Sequence, residues 1–171
     1  MSDLKQYIRN IPDFPKKGIL FRDITTLLSN GRKFKEVVDK LAKRYAGKDI
    51  DAVVAVESRG FIFGSALAYK LGAAFVPVRK KGKLPFKTLS AAYTLEYGKD
   101  SLEVHEDAFK PGARILLIDD LLATGGTLGA GVELVKKLKG NIQEIVFIIE
   151  LLDLKGREKL KDFPVYSLIK Y

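Results

Sequence analysis

Cysteine is absent from the 171 residues of this chain, and histidine occurs once, at position 105. The missing thiols exclude disulfides and thiol catalysis, and a single histidine cannot build a zinc site of the usual kind. No apolar run approaches the roughly 20 residues that a membrane-crossing helix needs. The N-terminus also lacks the basic and apolar regions of a secretory signal. We therefore expect a cytoplasmic protein without a membrane partner.

Length and composition are typical of one globular domain with a substantial core, since 47% of the residues are hydrophobic. The net charge of +9 fits either nucleic-acid binding or a small, strongly anionic substrate. Lysines are spread along the chain without the interleaved aromatic residues of a base-stacking surface. The densest basic cluster, residues 79–83, follows a predicted strand. We favour the small polyanion and expect no nucleic-acid partner.

Apolar patterns predict strands that alternate with helices, and hence an α/β fold with a mostly parallel sheet flanked by helices. Continuous apolar runs predict buried strands at 52–56, 74–78, 114–119, 142–149 and 165–169. Helical spacing occurs at 34–45, 62–71 and 128–138, with a short helix at 155–161. Alternation at 93–97 and 102–104, with 98–100 between, predicts a hairpin. A short N-terminal helix over residues 4–11 should end at Pro12, and an ordered loop should follow over 13–26.

The segment 114–128, RILLIDDLLATGGTL, is the most informative part of the chain. A buried strand pattern ends in Asp119 and Asp120, and the turn Ala123–Thr127 leads into a helical pattern. Ligands of open α/β sheets bind at the carboxyl ends of strands, and the N–H groups of such a turn suit an anion. Carboxylates accept hydrogen bonds from neutral hydroxyls, so ribose 5-phosphate fits both features. A plain strand–turn–helix unit is the alternative, although core strands seldom end in adjacent unpaired carboxylates.

Residues 119–127 resemble the phosphoribosyl-diphosphate signature of the type I phosphoribosyltransferases, and the resemblance extends from about Ile8 to the C-terminus. It implies their Rossmann-like fold in a single domain spanning 1–171, with a small N-terminal hood at 1–30 and a flexible loop and hairpin at 79–105. It implies that Asp119 and Asp120 are catalytic, because they bind the ribose hydroxyls and favour a sugar that turns cationic. The residues implied to bind the 5-phosphate are Ala123, Thr124, Gly125, Gly126 and Thr127.

The segment 57–61 resembles the loop that receives pyrophosphate in this family. Ser58, Gly60 and a catalytic Arg59 would meet the leaving group there, and an ordinary turn with a solvated arginine is the alternative. Arg79 and Lys83 resemble further diphosphate contacts, with Lys83 supplied by the partner subunit in a dimer; a solvated charge run is the alternative. Mg²⁺ is implied because the leaving diphosphate needs a hard cation. No cluster of protein ligands is visible, so the ion should be held mainly by the substrate and water.

Residues 92–98 resemble the catalytic loop of the family, which excludes water when it closes over the site. Glu96 is the candidate for handling the proton of the purine ring, while Tyr93 and Tyr97 could cover the diphosphate. A solvent-facing hairpin is the alternative for Glu96.

Residues 14–25 resemble the base-binding segment of the adenine-specific members of the family. Adenine presents a donor amino group beside an acceptor ring nitrogen, which the backbone C=O of Leu20 and N–H of Arg22 could match. A pocket of this kind rejects a base with the reversed pattern because buried polar groups would be left unpaired. Phe21 would stack on the purine, with burial unrelated to a ligand as the alternative. Residues 147–153 also lack the lysine that the oxopurine enzymes tend to carry.

Together these resemblances imply a magnesium-dependent, homodimeric enzyme of purine salvage. It would transfer the ribose 5-phosphate of 5-phosphoribosyl 1-diphosphate to N9 of adenine and release AMP and pyrophosphate. A xanthine or other purine phosphoribosyltransferase is one alternative. A non-catalytic regulator that binds phosphoribosyl diphosphate and uses its positive charge on DNA is another.

Overall fold

The computed structural model of this chain describes residues 3–95 and 98–171. These residues form two compact units, Met1–Arg44 and Tyr45–Tyr171. Within the described part of the chain, no helix is both long enough and apolar enough to span a bilayer.

The first unit contains a small antiparallel ribbon, a 3-10 helix and two α-helices. A 3-10 helix, Leu4–Tyr7, precedes β1 (Arg9–Pro12), β2 (Leu20–Asp23) and α1 (Thr25–Leu28), and α2 (Gly31–Tyr45) runs to the boundary with the second unit. The predicted helix over 4–11 is wrong beyond its first turn, because residues 9–12 pair in antiparallel register with residues 20–23. The predicted loop over 13–26 is wrong for the same reason, since it contains β2 and the start of α1. Strand pairing here outweighs the local helical spacing.

Asp23 ties the end of this ribbon to α1. One carboxylate oxygen accepts the backbone N–H of Thr25 at 2.9 Å, and the other lies 2.6 Å from the guanidinium of Arg9. The N–H of Thr25 lowers the pKa of Asp23 most strongly, the Thr25 hydroxyl and Arg9 lower it further, and together they outweigh burial and bring it to about 2. The ionised side chain therefore stabilises the folded state.

We expect Asp23→Asn to lower the melting temperature at pH 7 and to lower it only about half as much at pH 3. The pKa of Asp23 is about 2 in the folded chain against an ordinary value of 3.8. Its contribution is therefore complete above about pH 4 and is lost as the pH falls towards 2. Melting curves of both proteins between pH 7 and pH 3 check this, with the exposed Asp107→Asn as the control. A difference that does not shrink on acidification would contradict the assignment.

The second unit is built on a seven-stranded sheet in the order β5-β6-β4-β3-β7-β8-β9. The strands are β3 (Ala52–Val56), β4 (Ala74–Lys80), β5 (Thr88–Leu95), β6 (Gly98–His105), β7 (Arg114–Leu122), β8 (Asn141–Glu150) and β9 (Val165–Lys170). β4, β3, β7, β8 and β9 are parallel neighbours, whereas β5 and β6 form an antiparallel hairpin at one edge. The predicted α/β fold with a mostly parallel sheet is confirmed.

Helices α3 (Arg59–Leu71) and α4 (Gly126–Lys137) cover opposite faces of this sheet. A Cβ added at Gly64 of α3 would meet Ala55 and Ile118, whereas one added at Gly131 of α4 would meet Val56 and Leu117. Successive residues of a strand point to opposite faces, so the two helices must lie on different sides. This double cover explains why β3 is buried at every position.

One predicted boundary is wrong, and one predicted short helix is of the 3-10 type. The hairpin turn was predicted at 98–100, but β5 ends at Leu95 and residues 98–100 already belong to β6, with Leu95 opposite Gly98. The predicted helix over 155–161 is a 3-10 helix, Gly156–Leu160, preceded by another at Leu152–Leu154. Short segments of this kind carry too few residues for their period to be decided from sequence.

Candidate active site

Two loops of the second unit lie at the same edge of the sheet. β3 and β7 are parallel neighbours, with Ala55 opposite Ile118. The chain leaves β3 into residues 57–58 and α3, and leaves β7 into residues 123–125 and α4. The carboxyl edge of adjacent parallel strands is where α/β proteins bind ligands, so this edge is the candidate active site.

Asp119 and Asp120 are placed at this edge by β7. Both residues are buried, at 9% and 6% exposure. Asp119 accepts the backbone N–H of Asp120 at 2.9 Å, and Asp120 forms an ion pair with Arg59 of α3 at 2.7 Å. The predicted trio of Asp119, Asp120 and Arg59 is thus brought together by the end of β7 and the start of α3.

The electrostatics of this acid pair are unfavourable for two full charges. Burial, followed by the neighbouring charge of Asp120, raises the pKa of Asp119 well above its ordinary value. Burial also raises the pKa of Asp120, and Arg59 offsets part of this effect. A ligand that donates hydrogen bonds to these carboxylates would therefore stabilise groups that the apo protein holds at a cost.

The turn after β7 exposes the start of a helix. Gly125 has φ +77° and precedes α4, and no side chain at this cap position occupies the first N–H groups. Helix N-termini attract anions through these N–H groups and the helix dipole. Residues 123–127, the predicted phosphate-binding turn, are arranged accordingly.

The loop that leaves β3 approaches Asp119 closely. A Cβ added to Gly60 would lie 2.9 Å from Oδ1 of Asp119 and 3.2 Å from its Cα. Any larger residue at position 60 would have to displace this carboxylate or the loop. The predicted pyrophosphate loop therefore packs directly against the predicted ribose-binding Asp119.

Glu57 joins the predicted diphosphate contacts, which the sequence interpretation did not anticipate. Its side chain is 6% exposed, and its two oxygens lie 2.9 Å from Nε of Arg79 and 2.7 Å from Nζ of Lys83. Burial raises the pKa of Glu57, but hydrogen bonds from Lys83 and Arg79 outweigh this and leave it below its ordinary value. An acid directly after the buried strand 52–56, with a basic cluster after the next strand, was the available signal.

Tyr93 of β5 completes the described surroundings of the site. Burial raises the pKa of its phenol to about 12, with further contributions from the carboxylates of Asp100, Asp119 and Glu57. The hydroxyl donates to Asp100 at 3.2 Å. Tyr93 is therefore a protonated hydrogen-bond donor within the electrostatic reach of both loops. Glu96 and Tyr97, also predicted here, lie outside the described residues.

The predicted base-binding residues belong to β2 of the first unit. Leu20 is exposed, and the half-buried ring of Phe21 packs edge-on against Phe14 with 5.1 Å between the ring centres. The guanidinium of Arg22 donates to the side chain of Asn10. Phe21 therefore lies on a short ribbon and is only half-buried, and its stacking on a purine stays a prediction.

Comparison with known proteins agrees with this arrangement. The family model described as phosphoribosyl transferase domain matches residues 24–171. Adenine phosphoribosyltransferase from Syntrophotalea carbinolica is 58% identical over 171 residues, which cover 100% of both chains. The chain therefore belongs to the adenine phosphoribosyltransferases.

Solved structures of this family have the same fold. Adenine phosphoribosyltransferase from Thermoanaerobacter pseudethanolicus has a TM-score of 0.94 at 53% identity, with 98% of each chain covered. The Saccharomyces cerevisiae enzyme, complexed with D-2,5-dideoxy-2,5-imino-altritol 1,6-bisphosphate and adenine, has a TM-score of 0.92 at 43% identity, with 96% of each chain covered. The predicted family is confirmed, and the roles of individual residues stay predictions.

Proposed function

We propose that this protein transfers the ribose 5-phosphate of 5-phosphoribosyl 1-diphosphate to N9 of adenine and releases pyrophosphate and AMP. The observation that carries this proposal is the buried pair Asp119 and Asp120 beside the open N-terminus of α4. One edge of the sheet thus offers acceptors for sugar hydroxyls and donors for a phosphate. A simple phosphate-binding protein would have no use for the two buried acids.

In this scheme Asp119 and Asp120 accept hydrogen bonds from the ribose hydroxyls. Breaking the bond between C1 and the diphosphate leaves positive charge on the sugar ring, as in other glycosyl transfers. Carboxylates fixed in a buried site stabilise this charge without reorganising. The N–H groups of residues 123–127 hold the 5-phosphate. The contacts to the hydroxyls and to the 5-phosphate together fix the position of C1.

The leaving diphosphate is assigned to residues 57–61 together with Arg79 and Lys83. Lys83 of the same chain already reaches this loop through Glu57, so the proposal does not require the lysine of a partner subunit. Arg59 is fixed by Asp120 at 2.7 Å, and Glu57 holds the two other cations within 3 Å. These ion pairs keep three positive groups near the position where negative charge develops. Preorganised charge of this kind is the largest single contribution in many enzymes.

Mg²⁺ is proposed as the cofactor, bound mainly through the substrate. Among the described residues, no group of three or more acidic, histidine or cysteine side chains could hold a metal ion. Carboxylate oxygens at the site suit a hard cation, but octahedral coordination would need most ligands from the diphosphate and water. The ion would neutralise negative charge on the leaving diphosphate.

The pairing of β1 with β2 supports the proposed recognition of adenine. Pro12 has no N–H, so the register allows mutual backbone hydrogen bonds between Ile11 and Phe21 and leaves the neighbouring pairs without them. The backbone groups of Leu20 and Arg22 therefore face the edge of β2 away from β1. A C=O and an N–H two residues apart on that edge match the donor and acceptor of adenine.

A purine panel tests this function directly. Pyrophosphate release should be fastest with adenine and at least about 10⁴-fold less efficient, in kcat/KM, with hypoxanthine, guanine or xanthine, since mismatched bases leave polar groups unpaired. Equal or faster release with an oxopurine would refute adenine specificity. Salt-sensitive binding of duplex DNA without any pyrophosphate release would instead favour the regulator.

We also propose that the protein is a homodimer. The second unit exposes large apolar side chains on α3 and β4, with Tyr69 at 87%, Ile62 at 37% and Phe75 at 36% exposure. Apolar side chains mark an interface when they form a contiguous patch, and Ile62 and Tyr69, seven positions apart, lie on one face of α3. Sedimentation equilibrium should give twice the chain mass.

A further inference from the structure

A segment with no part in the proposed chemistry packs against the phosphate-binding turn. Residues 152–160 contain the two 3-10 helices after β8, and within them Gly156 and Leu160 are buried. These two buried residues carry no group suited to acid, base or nucleophilic catalysis, so their contribution at the turn must come through shape.

The backbones of Gly156 and of the turn are in unusually close contact. A Cβ added at Gly156 would lie 2.3 Å from the carbonyl oxygen of Ala123 and 2.7 Å from Cδ1 of Leu122. A Cβ added at Gly125 would lie 2.6 Å from the carbonyl oxygen of Gly156. Both distances are far below van der Waals contact, so the approach requires glycine on both sides. The position of the turn is therefore tied to that of Gly156.

Gly156 is in turn followed by an arginine that is anchored to the sheet. Nε and Nη2 of Arg157 donate to the two carboxylate oxygens of Glu150 at 2.5 and 2.7 Å, and Nη1 donates to the carbonyl oxygen of Val165 at 2.9 Å. Glu150 ends β8, and its side chain is 3% exposed. A bidentate pair fixes orientation as well as distance, so Arg157 holds residues 156–160 in one place.

We propose that Gly156 and Arg157 are positioning residues for the 5-phosphate. Arg157 fixes the segment on Glu150, and the backbone of Gly156 sets the position of residues 123–125, whose N–H groups continue into α4. This inference rests on the proposed function, because it takes the turn to be the phosphate site. Loss of the anchor should misplace the turn while leaving the pyrophosphate loop, which is built on β3 and α3, in position.

Arg157→Met tests the proposal through two ligands that use different loops. We expect the Kd of ribose 5-phosphate, measured by calorimetry, to rise at least tenfold and that of pyrophosphate with Mg²⁺ to change less than twofold. The KM for phosphoribosyl diphosphate should rise about tenfold with kcat within threefold of the original. Gly156→Ala, which acts on the turn by steric contact instead of charge, should give the same selective loss. If Arg157→Met does not fold, the ligand affinities of Gly156→Ala test the proposal instead.

Arg114→Met is the matched control. Arg114 pairs with Asp49 and Asp51 at the other end of β7, so this variant also loses an arginine ion pair but should bind ribose 5-phosphate normally. Unchanged ribose 5-phosphate binding in the Arg157 and Gly156 variants overturns this inference but leaves the proposed function intact. Equal weakening of ribose 5-phosphate and pyrophosphate binding also overturns it, because that result indicates a general loss of structure. An unmodified protein that makes no AMP overturns the proposed function, and the inference with it.

Discussion

Asp119→Asn is expected to reduce kcat/KM for AMP synthesis by about 10²–10³-fold, the loss typical of removing one preorganised electrostatic group, and to make the protein more stable. Asparagine keeps an oxygen for the N–H of Asp120 but cannot carry the negative charge that the cationic sugar requires. The same charge is buried beside a second acid, which destabilises the folded protein in the absence of ligand. Removing the charge should therefore raise the free energy of unfolding. Activity and stability should therefore change in opposite directions.

The pH dependence of this stabilisation has a definite sign. The pKa of Asp119 is raised in the folded state, so its ionisation costs stability as the pH rises from the ordinary value through the raised one. The gain in melting temperature should be largest at neutral pH and should vanish near pH 3.5. Each unit of pKa change corresponds to about 1.4 kcal/mol, or about 3–6 °C in a chain of this size. A loss of stability at pH 7 would contradict this account of the acid pair.

Gly60→Ala is expected to reduce kcat/KM by about 100-fold, because small displacements of reacting groups have effects of this size. The added methyl carbon would lie 2.9 Å from the carboxylate of Asp119, so either the acid or the pyrophosphate loop must move. Overpacking at a buried site should also lower the free energy of unfolding by about 1–3 kcal/mol. Steady-state kinetics and urea denaturation measure the two effects.

Gly129→Ala is the control for this prediction. Gly129 lies within α4, and an added Cβ would meet nothing within 4 Å. The substitution should leave the kinetics unchanged and stabilise the helix by about 0.5–1 kcal/mol. If both glycine variants lost activity equally, steric contact with Asp119 would not be the cause.

The sequence predicted the central sheet well because its strands are long, apolar and buried on both sides. Residues 52–56 and 114–119 have the continuous apolar pattern of buried strands, and the acids at 119 and 120 indicated the edge of the sheet that carries the site. The N-terminal ribbon was missed because four-residue strands such as β1 and β2 carry too little pattern, and their stability comes from pairing. Leu4, Tyr7, Ile8 and Ile11 suit one helical face equally well.

The candidate site was predicted in composition but not in its internal contacts. Arg79 and Lys83 were predicted only as contacts of the diphosphate, whereas the structure shows that both form ion pairs with Glu57. The contact between Gly125 and Gly156 was also invisible, because it joins residues that are 31 positions apart. Periodicity reports which face of an element is buried, but not which loop lies against it.

The central claim is that Asp119 and Asp120 hold the ribose hydroxyls, and comparing AMP with 2′-deoxy-AMP tests it most directly. Both nucleotides carry the same base and phosphate, so the ratio of their Kd values isolates one hydroxyl. Hydrogen bonds to charged groups contribute about 1.5–3 kcal/mol, so AMP should bind at least tenfold more tightly to the unmodified protein. This preference should shrink severalfold when both acids are replaced by asparagine, because an amide oxygen is a neutral and weaker acceptor. Equal binding of the two nucleotides to the unmodified protein, or a preference that is undiminished in Asp119→Asn with Asp120→Asn, would contradict the account.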